Sequence, residues 1–115
     1  MNTKKRRIKR ASGSVDAEKF LEDLLGPLSI ASMIESHRLC EEITHAELAR
    51  RLGISRANLC DIEQGRKLVS PERAARFACA LNDSETLWIQ VALEDELRES
   101  GFNFKVHLQP CVAMV

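Results

Sequence analysis

The chain has no tyrosine, one tryptophan and four phenylalanines in 115 residues, so aromatics make up 4%. So few flat rings leave little material for the stacking platform that single-strand nucleic-acid binders use. Net charge is also missing: 17 basic side chains meet 17 acidic ones, and no overall attraction to a polyanion follows. No apolar run approaches the roughly 20 residues of a membrane-spanning helix. The basic start MNTKKRRIKR leads into ASGSVDAEKF, which has no apolar stretch of the secretory type. The four cysteines (Cys40, Cys60, Cys79, Cys111) are widely spaced and include no Cys-x-x-Cys pair. Reduced thiols in a cytoplasmic compartment are the expectation, with three of them serving as small apolar residues in helices. No phosphate-cradling glycine loop and no nucleophile elbow occurs. His37 and Cys40 stand one helical turn apart, but no second pair sits at zinc-site spacing. His45, Cys60, Cys79 and His107 complete the residues available for chemistry. Neither an enzyme nor a metal or cofactor site is expected from them.

What is present favours helices. Hydrophobic residues reach 44%, a globular proportion. Between residues 15 and 100, Ala, Leu, Glu and Arg dominate while Val, Ile and Thr are sparse. The length suits one small domain with a modest core. Charge is unevenly spread. Residues 1–10 carry six basic and no acidic side chains, and 45–76 carry seven basic against four acidic; 11–44 and 77–115 are acidic. A local basic face can bind phosphate in a neutral protein, because charges beyond a Debye length of about 8–10 Å are screened.

Four segments follow: a disordered basic tail at 1–14, a helical domain at 15–100, a strand at 101–109 and a short tail at 110–115. VDAEKFLEDLLG is helix-patterned, with Phe20, Leu24 and Leu25 on one face, Asp16 as cap and Gly26-Pro27 as terminator. A second helix spans Ser29 to Glu41, with Ile30, Met33, Ile34 and Leu39 on or near one stripe. Thr44 and Glu47 have capping-box spacing. Ser70-Pro71 opens a helix with Ala74, Phe77, Ala78 and Leu81 at i, i+3, i+4, i+7. Asp83 or Ser84 caps a last one carrying Leu87, Trp88, Val91, Ala92 and Leu97, which ends at Gly101. FNFKVHLQ then alternates with period two: Phe102, Phe104, Val106 and Leu108 predict a half-buried strand. A lone strand leaves backbone groups unpaired. Two resolutions are open: an antiparallel ribbon with a second copy of the chain, or an extended tail lying on the helices through its two phenylalanines.

Gly53 is the pivot. In AELARRLGISRANLCDIEQG it stands nine residues after Thr44 and two before Ser55, both good N-caps. Two short helices meeting at Leu52-Gly53-Ile54 form a helix-turn-helix, and glycine supplies the positive φ of the corner. Ala49 is small where the helices approach, and Leu48, Leu52, Ile54, Leu59 and Ile62 fill the wedge.

At Ala49, Gly53, Leu59 and Ile62 the chain resembles the Cro/phage-repressor-like (Xre) helix-turn-helix family, whose pattern is alanine, glycine four later, and aliphatics six and nine beyond it. The likeness runs from Ser29 to Ala92. The SPERAARFACAL segment further resembles members that act as antitoxins of type II toxin–antitoxin pairs. The resemblance implies an all-α fold: a five-helix, lambda-repressor-like DNA-binding domain, here with an extra N-terminal helix and a C-terminal β-strand. It implies a cytoplasmic transcriptional regulator, a repressor, that binds double-stranded DNA as a homodimer with helix 55–64 in the major groove. Arg56, Ala57, Asn58 and Asp61 are the implied base contacts. Arg56 suits guanine, Asn58 adenine or a phosphate, Ala57 a thymine methyl and Asp61 cytosine N4; a salt bridge or capping role for Asp61 near Arg56 or Arg50 stays open. Thr44, His45, Ser55, Arg66 and Lys67 are the implied phosphate contacts, with Arg50 and Arg51 divided between solvent and phosphate. Glu63 is expected to be structural. The reading helix sets Arg56 against Asp61 and Glu63, so it is not itself basic. The alternative reading is a protein-interaction module, such as the antitoxin of a toxin protein, with DNA secondary.

Overall fold

The structure, a computed structural model, describes Ala17, Lys19, Phe20, Asp23, Leu24 and residues 26–111. The basic tail at 1–14, Asp16 and Leu25 lie outside the described residues, as does most of the 110–115 tail. Five helices follow in order: α1 (Ile30–Cys40), α2 (His45–Leu52), α3 (Arg56–Glu63), α4 (Pro71–Ala80) and α5 (Glu85–Glu99). No helix is long and apolar enough to cross a membrane among the described residues.

Each helix starts where the sequence places a hydroxyl. Ser29, Thr44, Ser55, Ser70 and Ser84 accept a hydrogen bond from the backbone N–H three residues on, relieving one of the donors that a helix start leaves orphaned. The reciprocal capping box forms at Ser29 and Ser32. At Thr44 only half of it does, because the Glu47 carboxylate turns to Arg50 and Arg51 instead. Each helix ends in the same two crossed bonds. For α2 they run from Gly53 N–H to Arg50 O and from Ile54 N–H to Ala49 O, the Schellman arrangement. It requires a left-handed residue: Gly53 at φ +73 supplies it for α2, and Glu42 (φ 55) supplies it for α1 at a steric cost.

The core is one cluster drawn from all five helices, with Trp88, Ile30, Ile34, Leu48, Leu59 and Ile62 essentially sealed from solvent. Ala49 and Leu52 join it, and Ile54 packs partly against it. The wedge expected between α2 and α3 is therefore filled. Each such aliphatic or aromatic side chain contributes about 1.5–3 kcal/mol by leaving water. Some apolar residues fall outside. Leu39, expected on or near the α1 stripe, is exposed. Ala17, Lys19, Phe20, Asp23 and Leu24 are helical, yet Phe20 and Leu24 are 64% and 65% exposed, so the expected N-terminal face is not buried. Cys40 and Cys79 are exposed and Cys60 half-buried, so the helical cysteines are not core residues.

The predicted C-terminal β-strand does not form. No strand occurs among the described residues, and 102–111 is an extended segment running along α5. Phe102 N–H donates to Leu97 O at 2.8 Å. Val106 N–H donates to Glu94 Oε2 at 2.8 Å, and Leu108 N–H to Gln90 Oε1 at 3.0 Å. Alternate N–H groups of an extended chain recur about every 6.6 Å. Side chains four apart on a helix recur at about 6 Å. The near match lets α5 satisfy, with side chains, bonds that a second strand would otherwise make. Val106 and Leu108 are half-buried. Phe102 and Phe104 are 54% and 65% exposed and stack on each other, centroids 6.3 Å apart. Of the two open resolutions, the tail lies along the helix, but it is held by backbone bonds at the half-buried Val106 and Leu108 and not through its phenylalanines.

Candidate nucleic-acid interface

α2 and α3 meet at Gly53 with nothing within 4 Å of where its side chain would be, so backbone conformation alone demands glycine there. Leu59 and Ile62 turn α3 inward. At 3.6 residues per turn, this leaves Ala57, Cys60, Asp61 and Gln64 on the opposite stripe, with Arg56 at its leading edge. Arg56, Ala57 and Gln64 are exposed; Cys60 and Asp61 are half-buried. Gln64 was not among the expected contacts, although it stands seven residues after Ala57 and so on the same stripe.

The expected base contacts thus separate. Arg56 and Ala57 face solvent, and Arg56 has no ion pair among the described residues. Asn58 is half-buried, and its Oδ1 is enclosed without a hydrogen-bond partner. Bidentate recognition of adenine needs both amide atoms free, so the structure does not present Asn58 as that reader. Asp61 Oδ1 accepts two bonds from Arg66, from Nε at 3.2 Å and from Nη2 at 3.1 Å. Of the ion-pair alternatives for Asp61, the partner is Arg66, not Arg56 or Arg50.

The expected phosphate contacts also divide. Thr44 and Ser55 are exposed and spend their hydroxyl oxygens as caps, on Glu47 N–H at 3.1 Å and Asn58 N–H at 3.0 Å. The first N–H groups of α2 (His45, Ala46) and α3 (Arg56, Ala57) have no partner among the described residues, and such groups with the helix dipole favour an anion. His45 is half-buried, its Nε2 3.4 Å from Glu63 Oε1. Arg38 grips the same carboxylate with Nε at 2.9 Å and Nη2 at 3.2 Å. That bond, with the attraction of the Glu63 charge, pushes the Arg38 guanidinium above its ordinary value. Glu63, with its side chain 7% exposed, therefore joins α1, α2 and α3, in accord with its expected structural role. The sequence offered no sign that His45 and Arg38 would share it, since they lie 18 and 25 positions away.

Most of the central basic charge is compensated. Arg50 pairs with Glu47, Arg51 with Glu41, Arg66 with Asp61 and Arg76 with Glu72, while Arg73 lies over the Phe77 ring at 5.4 Å. Of the lysines and arginines from 45 to 76, Arg56 and Lys67 alone have neither kind of partner among the described residues. Arg56 opens α3, and Lys67 lies four residues past its last residue. Among the described residues no group of three or more His, Cys, Asp or Glu is placed to hold a metal.

A family model described as a helix-turn-helix domain matches residues 6–87. No curated protein and no solved structure matches the chain. The matched span takes in α1 to α4 and includes the Gly53 corner, where the caps, the filled wedge and the outward Arg56 are found. By that span and that corner, the chain belongs to the helix-turn-helix domain family, a DNA-binding fold.

Proposed function

We propose that this protein is a sequence-specific transcriptional regulator, a repressor, that lays α3 in the major groove of double-stranded DNA. The observation that carries the reading is the placement of Arg56 and Lys67, the two cations of the 45–76 stretch left without a partner among the described residues, at the start of α3 and just past its end. Arg56, first residue of the helix, is the base reader: its guanidinium matches guanine O6 and N7 with two parallel bonds. Ala57 stands next to it for a thymine methyl. Lys67, with the free N–H groups at the starts of α2 and α3, takes phosphates. The protein acts as a binder, not a catalyst, in the cytoplasm, without cofactor. It works as a homodimer, and the stacked Phe102 and Phe104, left outside by the packing of the tail, are the surface offered to the second copy.

Selection of bound sequences from a random duplex library tests this, with the salt dependence of the winner. Arg56→Ala should weaken the selected site by roughly 1–3 kcal/mol and relax preference at one base pair. Lys67→Ala should weaken all sequences alike and reduce the salt slope by about 1. Enrichment of no motif, together with binding indifferent to salt, rules the reading out.

The exposed phenylalanines also support a second reading, an antitoxin-like interaction module whose partner is a toxin protein. Neighbouring-gene context separates the two: a small toxin gene alongside favours the module.

A further inference from the structure

Asp61 occupies the outward stripe of α3, where an acid should either read cytosine or repel phosphate. The geometry points to a third role: Asp61 is a positioning residue that holds Arg66 ready for a DNA phosphate at the C-terminal end of α3. This rests on the proposed reading of DNA by α3.

Both the backbone and the side chains tie the two residues together. Arg66 N–H donates to Asp61 O at 2.9 Å, and Gly65 N–H to Ile62 O at 3.0 Å, with Gly65 left-handed at φ +79. This Schellman closure fixes the Arg66 backbone one turn beyond Asp61. The side chain then folds back, placing Nε and Nη2 on one carboxylate oxygen. An ordinary surface ion pair is loose because both side chains are free; here the backbone of one is already clamped to the backbone of the other. A guanidinium has five N–H donors in a fixed plane. Two are spent on Asp61, and three remain on a side chain that is 63% exposed. The carboxylate charge is cancelled at contact distance, so a phosphate meets an oriented donor group instead of a bare acid. A preordered side chain loses less freedom on binding.

Three roles for Asp61 predict three different outcomes in the full chain. As a positioning residue, Asp61→Ala weakens every duplex about threefold, leaves the selected sequence unchanged, and adds nothing when Arg66 is already alanine. Asp61→Glu, which can still reach Arg66, restores most of the loss. Relaxed preference at one base pair would make Asp61 a base reader and overturn the proposal. Tighter binding to all sequences would make it a repelling charge and also overturn it. A second measurement uses no DNA. The ¹⁵N order parameter of Arg66 Nε should be high in the native chain and fall below about 0.6 in Asp61→Ala and Asp61→Asn. Equal mobility in all three removes the clamp and the proposal with it. A clamp that is present in a chain selecting no duplex overturns the DNA reading, and this proposal falls with it. A duplex selected equally well with and without Asp61 overturns the positioning role alone.

Discussion

At the scale of single residues, the backbone conformation at helix ends makes the clearest demands. Gly53 and Glu42 hold equivalent left-handed positions, at φ 73 and φ 55. Open space surrounds Gly53, so Gly53→Ala should destabilise by the backbone term alone, about 1–2 kcal/mol. Glu42 already bears that strain. Glu42→Gly should raise stability by about 0.5–1 kcal/mol, the gain being reduced by the extra freedom of glycine in the unfolded chain. Urea midpoints of the two variants should move in opposite directions; a shared direction would remove the left-handed explanation. Gly53 was readable from sequence because its neighbours Thr44 and Ser55 announce the corner. Glu42 was not, since nothing in its side chain favours the conformation it adopts. Asn58 shows the same limit: its residue type suits a base, but burial of Oδ1 depends on what packs around α3.

Among the elements, the helices and the tail behaved differently. The helices could be read in advance because cap, apolar stripe and terminator lie within about ten residues of each other, and each signal agrees with the others. The tail showed a clean strand pattern, yet period two states only that a segment is extended with unlike faces. What pairs with it is settled elsewhere, by Gln90 and Glu94 standing one turn apart on α5. Glu94 is a buried acid, which is sustained when a donor meets it. Glu94→Ala should therefore release the tail and leave α5 intact. Hydrogen exchange at the Val106 and Leu108 amides should accelerate at least tenfold while exchange at Val91 and Ala92 barely changes. Unchanged protection at Val106 would show that the aliphatic contacts, and not the carboxylate, hold the segment.

For the whole molecule, long-range polar bonds join what the core brings near. Asp83, between α4 and α5, receives Trp88 Nε1 at 3.0 Å, Ser84 N–H at 2.7 Å and a contact from His37 of α1 at 3.2 Å. The indole bond, then the backbone bond and the histidine, hold its carboxyl below the ordinary value. A carboxyl depressed in the folded state binds its proton more weakly there than in the unfolded chain. Its stabilisation is present above the unfolded value near pH 4 and is lost as pH falls through the folded one. Asp83→Ala should thus cost stability at pH 7 and much less at pH 3, as compared by urea unfolding at each pH. Equal cost at both would dismiss the ionised carboxylate as the cause. The proposed homodimer belongs to this scale too. Phe102→Ser with Phe104→Ser should shift sedimentation toward the monomer without loosening the tail, because the backbone N–H groups of Phe102, Val106 and Leu108 make its bonds to α5. An unchanged dimer would refute the phenylalanine surface.

The sequence by itself determined the helices, their caps and the corner at Gly53, because these are properties of residues close along the chain. It determined the wedge as well, since the 3.6-residue period names the inward side chains before any partner is known. Only the tertiary structure decided which charges survive on and around the outward face of α3. Glu63 takes Arg38 and His45 from 25 and 18 positions away, and Asp61 takes Arg66, so of the lysines and arginines from 45 to 76 Arg56 and Lys67 are left over among the described residues. Charge cancels over distances in space, and the folded chain alone sets those distances.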